Sequence, residues 1–222
     1  MKNRVERTME VGRVRALLGV LKLNDEEAYN HSLDVAHIVD SYLNVEEESE
    51  FSERPEEEKT SIVVGALLHD IGKAFLPFGL QYSSRKFTPV ETEIMNTHPI
   101  LGAVAIKNCD FDSIVENIIL MHHAAPDGSG YPRISNKAYG TDIEVPEYVW
   151  IVEYADKLDA MVSRRNFKRQ KSLKDAWSTL VALSKEGKLP YEPLYLYRKI
   201  IQDLDIFKGE DNKSLPLEVI QK

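Results

Sequence analysis

IVVGALLHDIGK, residues 62–73, is the stretch whose reading decides the fold. A continuously apolar or small run, Ile62 to Leu68, leads straight into His69 and Asp70. Its β-branched start is compatible with a strand, but the Gly-Ala-Leu-Leu that follows suits a buried helix better. An acid at the end of a buried element is costly unless it is paired or bound to a cation. Asp70 is short and carries two oxygens, so it is able to bridge two metal ions, with His69 as a ligand beside it.

The same theme recurs outward from this point. Five of the six histidines form an ordered series with acids: Glu27 and His31, His69-Asp70, His98, His122-His123, and finally Asp156. Glu27 and His31 are four residues apart, which places both on one helical face. His98 precedes Pro99 and the apolar run Ile100 to Ile106, while His122-His123 closes NIILMHH. Adjacent helical residues point about 100° apart, so that histidine pair can address two ions. Asp156 emerges from the apolar YVWIVEYA, and Asp159 shares its face as an acid that orients a ligand or caps the helix. Imidazole and carboxylate without cysteine suit first-row transition metals, and the set is too large for one ion. It suits two or three. His37, among apolar neighbours, reads as a core or boundary residue.

Helical spacing runs through nearly the whole chain. Val11, Val14, Leu17, Leu18 and Leu21 recur with that period, as do Leu33, Ala36, His37, Val39 and Tyr42. Further helices are expected near 89–107, 111–122, 145–163, 172–186 and 192–203, with no alternation of period two. The expectation is an all-α single domain over residues 1–222. Acidic residues 45–59, the crossover 76–89 and the Gly- and Pro-rich stretch 124–145 read as loops, the last long enough to be functional. A net charge of -8 argues against a broad nucleic-acid surface, though not against a small anionic substrate met by local positive charge. SRRNFKRQKSLK, residues 163–174, supplies six such basic residues. No apolar stretch approaches the roughly 20 residues of a membrane span, and the start has no signal-like apolar core. Cys109, the single cysteine, excludes an internal disulfide and fits a reducing compartment, so a cytoplasmic protein is expected, with Cys109 a buried small residue.

HDIGK (69–73) resembles the signature of the HD phosphohydrolase superfamily, and HHAAPDGSGYP (122–132) resembles the extended motif of its HD-GYP branch. TPVETEIMNTHPILGAVAI (88–106) and ADKLDAMVSRRNF (155–167) are similar to the branch's intervening and later segments. The resemblance covers about residues 25–207, a catalytic core preceded by an N-terminal helical extension over 1–24. It implies an HD-domain helical bundle, five central helices around a metal site plus peripheral helices. It also implies hydrolysis of cyclic di-GMP, a bacterial second messenger, to linear pGpG or to GMP. By position, His31, His69, Asp70, His98, His122 and Asp156 correspond to the ligands of two metals, and Glu27 and His123 to the positions that hold a third. Lys73 corresponds to the motif lysine, acting with Asp70 in catalysis and touching substrate. Arg165 and Lys168 match phosphate-binding positions, and Tyr131 either contacts substrate or packs its loop.

Iron and manganese are favoured for these ligands, and zinc is tolerated. Three departures stand out: Ala124 and Ala125 where the branch has Glu, Asn166 in place of a proline, and only Arg85 and Lys86 near the crossover-loop lysine. These bear on substrate preference and leave every ligand in place. Alternatives are an HD enzyme acting on cyclic GMP-AMP, a deoxynucleotide or an alarmone, or a non-catalytic cyclic di-GMP-binding adaptor. The first twenty or so residues form a helix that serves a homodimer or regulatory partner, or packs onto the chain's own core.

Overall fold

The computed structural model describes residues 3–44, 53–80, 85–133, 144–163 and 170–190. All regular structure among them is helical. In chain order the helices are α1 (Arg4–Met9), α2 (Gly12–Asn24), α3 (Glu26–Leu43), α4 (Glu56–Leu68), a 3-10 turn (Ile71–Phe75), α5 (Pro89–Met95), α6 (His98–Ile106), α7 (Ser113–Met121), α8 (Glu147–Val162) and α9 (Leu173–Lys185). No helix among the described residues is long and apolar enough to cross a membrane.

The opening stretch forms the middle of the bundle. Every residue from Ile62 to Asp70 is buried, and a helix apolar on all sides has to be central. Helix α4 packs between α3 and α7, α3 also packs on α8, and α6 lies against the 3-10 turn that follows α4. Five segments therefore surround one point: α3, the end of α4, α6, the end of α7, and α8. Local chemistry starts several of these helices. Asp25 accepts the Ala28 N–H at the start of α3, and Asp112 accepts those of Ile114 and Val115 at the start of α7. Glu56, Glu57 and Glu58 fill the first turn of α4, where the helix dipole favours negative charge.

The N-terminal residues pack onto the chain's own core, as two helices. Val5, Val14, Leu18 and Leu21 are buried, and the buried Arg4 guanidinium joins Asp40 of α3 to Glu56 of α4. Residues 89–107, expected as one helix, are two. Pro99 has no N–H to give the carbonyl of Met95, four residues back, so the ladder breaks there. The side chain of His98 takes that carbonyl instead, at 2.8 Å. His37 is exposed, because the buried stripe of α3 runs through His31, Val35, Ile38, Val39 and Tyr42 and leaves position 37 on the outer face. Cys109 is only half buried, since it follows the C-terminus of α6 at the bundle surface. The expected helix over 192–203, and Arg165 and Lys168, lie outside the described residues.

Candidate metal centre

Asp70 sits at the centre of the bundle and its two oxygens face different neighbours. Oδ1 lies 3.2 Å from His98 Nε2 and 3.9 Å from His122 Nε2. Oδ2 lies 3.4 Å from His69 Nε2 and 4.0 Å from His31 Nε2. The ligand atoms divide into two groups, Asp70 with His98, His122 and His123, and His31 with His69 and Asp156. Within each group the atoms lie within 4.8 Å of one another.

The imidazoles are oriented from behind. His69 Nδ1 donates to the Ala66 carbonyl at 2.8 Å, His98 Nδ1 to Met95 at 2.8 Å, and His122 Nδ1 to Ile119 at 3.0 Å. Each bond places the ring hydrogen on Nδ1 and leaves Nε2 a bare lone pair. The Nε2 atoms of His98 and His122 face each other at 3.1 Å, two acceptors that a cation would reconcile. His69 Nε2 and Asp70 Oδ1 are buried without a hydrogen-bond partner, which is expensive in a dry interior unless something positive is bound. The donor set and these orphaned atoms fit divalent metal ions.

His31 is held differently. Its Nδ1 is 2.5 Å from Asp159 Oδ2 and its Nε2 is 2.9 Å from Asp156 Oδ1. Burial alone would lower this imidazole, but the bonds to Asp156 and Asp159 raise it to about 9. Burial wins at His122, which is held well below its ordinary value, with neighbouring imidazoles adding to the effect and Asp70 only partly opposing it. His123 is likewise brought down, to about 3. Asp70 and Asp156 resist burial: Lys73 and His69 hold the first well below the usual carboxylate range, and His31 the second. Neutral imidazoles and ionised carboxylates are the forms that bind metal.

The remaining predicted residues border this centre. Lys73 Nζ is 2.5 Å from Asp70 Oδ2 and lines a cavity of about 400 Å³, within the range of small-molecule sites. Glu27 also lines the cavity but is exposed, and its carboxylate falls in neither ligand group. Tyr131 is placed by its loop. Asp127 accepts the Ser129 N–H and hydroxyl, and the Tyr131 N–H donates to the His123 carbonyl at 3.0 Å. A side chain at Gly130 would lie 2.2 Å from that carbonyl, so only glycine lets the loop fold back this closely. The Tyr131 ring then packs on His123 with centroids 4.6 Å apart. Arg85, a substitute for the branch's loop lysine, is exposed and engaged with Glu91.

Three participants escaped sequence reasoning. Phe87 and Met95 line the cavity, and no pattern distinguishes them from ordinary apolar residues. Glu153, one turn before Asp156, is buried beside Lys157 at 3.0 Å, and burial pushes its carboxyl up to about 8. An acid inside YVWIVEYA was the available signal.

This geometry agrees with what the chain is similar to. The HD domain family matches residues 28–161. The chain belongs to that family, and its HHAAPDGSGYP run resembles the extended motif of the HD-GYP branch. A cyclic di-GMP phosphodiesterase of Thermotoga maritima is 36% identical over 160 residues, 70% of this chain and 41% of that protein. A probable cyclic di-GMP phosphodiesterase of Vibrio cholerae serotype O1 is 27% identical over 233 residues, 94% of this chain and 49% of that one. The chain thus spans less than half the length of these relatives. The HD domain of the L. monocytogenes phosphodiesterase PgpH, solved in complex with cyclic-di-AMP, shares the fold with a TM-score of 0.63 at 18% identity, over 88% of this chain and 98% of that one.

Proposed function

We propose that this chain is a metal-dependent phosphodiesterase that hydrolyses a cyclic dinucleotide, with cyclic di-GMP to linear pGpG or GMP as the favoured reaction. One observation carries the reading: three imidazoles, each fixed on Nδ1 by a backbone carbonyl, aim bare Nε2 atoms at a buried carboxylate. The ligands are His31, His69, Asp70, His98, His122, His123 and Asp156, with Glu27 at the cavity side for a third ion. Iron or manganese fits best, and zinc fits acceptably. When bound, such ions supply water activation and charge neutralisation at phosphorus.

The side chains do the rest. Asp70, with one oxygen toward each ligand group, fixes the spacing between them. Asp159 holds the His31 ring in register. Lys73, which lines the cavity, would steady phosphate charge or protonate the departing ribose oxygen. Arg165 and Lys168 would hold the second phosphate. Tyr131, which lines the cavity beside His123, would contact the substrate. Residues 25–207 act as the catalytic unit, 1–24 as a helical extension, and the reducing cytoplasm is the site of action.

Metal analysis of anaerobically purified protein, paired with product analysis on cyclic di-GMP, cyclic GMP-AMP, cyclic di-AMP, deoxynucleotides and a guanosine alarmone, tests this. Two or three ions per chain and turnover of a cyclic dinucleotide are expected. Metal-free protein, or turnover confined to deoxynucleotides or the alarmone, overturns it.

A further inference from the structure

We propose that Phe87 is a nucleobase platform, its ring stacking on a purine of the bound cyclic dinucleotide. The inference rests on the function just proposed and extends it to a substrate-binding residue. A cyclic dinucleotide presents two kinds of surface, charged phosphates and flat aromatic bases. The cavity wall supplies charge through Lys73, His31 and Asp156, and polar imidazole through His98 and His123. Its large apolar side chains are Phe87, Met95 and Tyr131. Tyr131 is engaged with His123, tilted 37° at 4.6 Å between centroids. Phe87 is only half buried and borders the same space.

The backbone around Phe87 is clamped from both sides by one carboxylate. Glu91 Oε2 accepts from Arg85 Nη1 at 2.8 Å and from the Thr88 N–H at 2.8 Å, while Oε1 accepts from Arg85 Nη2 at 2.6 Å. Residues 85 and 88 are therefore tied to the first turn of α5, and the backbone of Phe87 lies between these two ties. The bonds from Arg85 and Thr88 bring the Glu91 carboxyl down to about 2, so the clamp stays charged at neutral pH. An aromatic ring carried on a held segment binds a base at a lower ordering cost than one on a free loop. Stacking is tolerant of base identity, since every base has a π-face. The platform selects for a base and leaves the choice between guanine and adenine to other groups.

The test compares wild type with Phe87→Ala, Phe87→Leu and Phe87→Trp, reading KM, kcat and metal content with cyclic di-GMP. Calorimetry with GMP and with ribose 5-phosphate isolates the base. Phe87→Ala is expected to raise KM about tenfold, the size of one base–aromatic stack, with kcat and metal content unchanged. GMP affinity falls by a similar factor while ribose 5-phosphate is unaffected. Phe87→Trp keeps a wild-type KM, and Phe87→Leu, apolar but without a π-face, resembles alanine. A KM for Phe87→Ala within twofold of wild type overturns the inference, as does equal weakening of GMP and ribose 5-phosphate. If Phe87→Ala fails to fold, equal KM values for Phe87→Leu and Phe87→Trp overturn it. Should wild type cleave no cyclic dinucleotide, the proposed function falls, and the contrast between GMP and ribose 5-phosphate still decides the platform.

Discussion

Gly72→Ala is a single-methyl perturbation that ties the packing of the bundle to its chemistry. A Cβ at Gly72 would stand 1.8 Å from the His98 carbonyl oxygen and 2.6 Å from the Gly102 nitrogen. Both obstacles are backbone of α6, so no rotamer change relieves them. Ordinary contact begins at 3.4 Å, which requires α6 to move away by roughly 1.6 Å. Overpacking of this kind costs about 3 kcal/mol, or a fall in melting temperature of roughly 6–12 °C for a chain of this size. Helix α6 begins at His98, whose Nε2 is 3.2 Å from Asp70, so the same shift pulls that imidazole off the carboxylate. Misplacement by about 1 Å costs on the order of 100-fold in rate. Calorimetry, metal content and phosphodiesterase rate measure the three effects, with Gly19→Ala as the matched control. Gly19 lies on α2 with nothing within 4 Å of an added Cβ, so alanine there should stabilise by about 1 kcal/mol through helix propensity alone. Wild-type metal content and rate in Gly72→Ala would refute the claim that this contact positions His98.

Asp70→Ala should strip metal and abolish turnover while far-ultraviolet circular dichroism stays helical; activity in the metal-depleted variant would refute the assignment. Asp159→Asn removes the charge that orients His31, and metal affinity should fall roughly 10–100-fold with the fold intact, as read by competition with a chelator. Arg165→Ala should weaken substrate binding with ions still present, and loss of metal in that variant would show that its role is different. The metal-free protein should grow less stable as pH rises. His31 is raised from 6.5 to about 9 in the fold, so its contribution is complete below 6.5 and lost through 9. Metal displaces that proton, so uptake should tighten over the same window, with proton release measured in buffers of different ionisation enthalpy.

The sequence carried the helical class, and most of the histidines and acids it singles out come together in the fold, for a physical reason. Charged residues within or just after apolar helical runs are costly to bury, so their presence in IVVGALLHD or YVWIVEYAD is itself information. Backbone partnerships were less legible. The spacing over 89–107 carries one helix through Pro99 in THPIL, and only the fold reveals that the proline splits it and frees the Met95 carbonyl for His98. Glu27 followed the i,i+4 rule onto the His31 face, yet its carboxylate falls outside both ligand groups. Spacing on one helix states which residues share a side but not how deep the bundle buries each. His37 failed for the same reason, one position off the buried stripe.

The placement of the histidines follows from where helices have carbonyls to spare. The last turn of a helix leaves its C=O groups without intrahelical partners. His69 follows α4 and takes the Ala66 carbonyl, His122 follows α7 and takes that of Ile119, and His98 takes that of Met95, the last residue of α5. One bond satisfies an orphaned carbonyl and fixes an imidazole tautomer together. His31 lies in the interior of α3, where every carbonyl behind it is already committed to the ladder. It needs a carboxylate from another helix, and Asp159 on α8 provides one at 2.5 Å. On this logic the acid three residues after Asp156 is required by the position of His31, and moving that histidine to a helix end would make Asp159 dispensable. His123 has neither device: its Nδ1 is 3.8 Å from Asp156 Oδ2, and its ring is held by packing against Tyr131 and His122 instead.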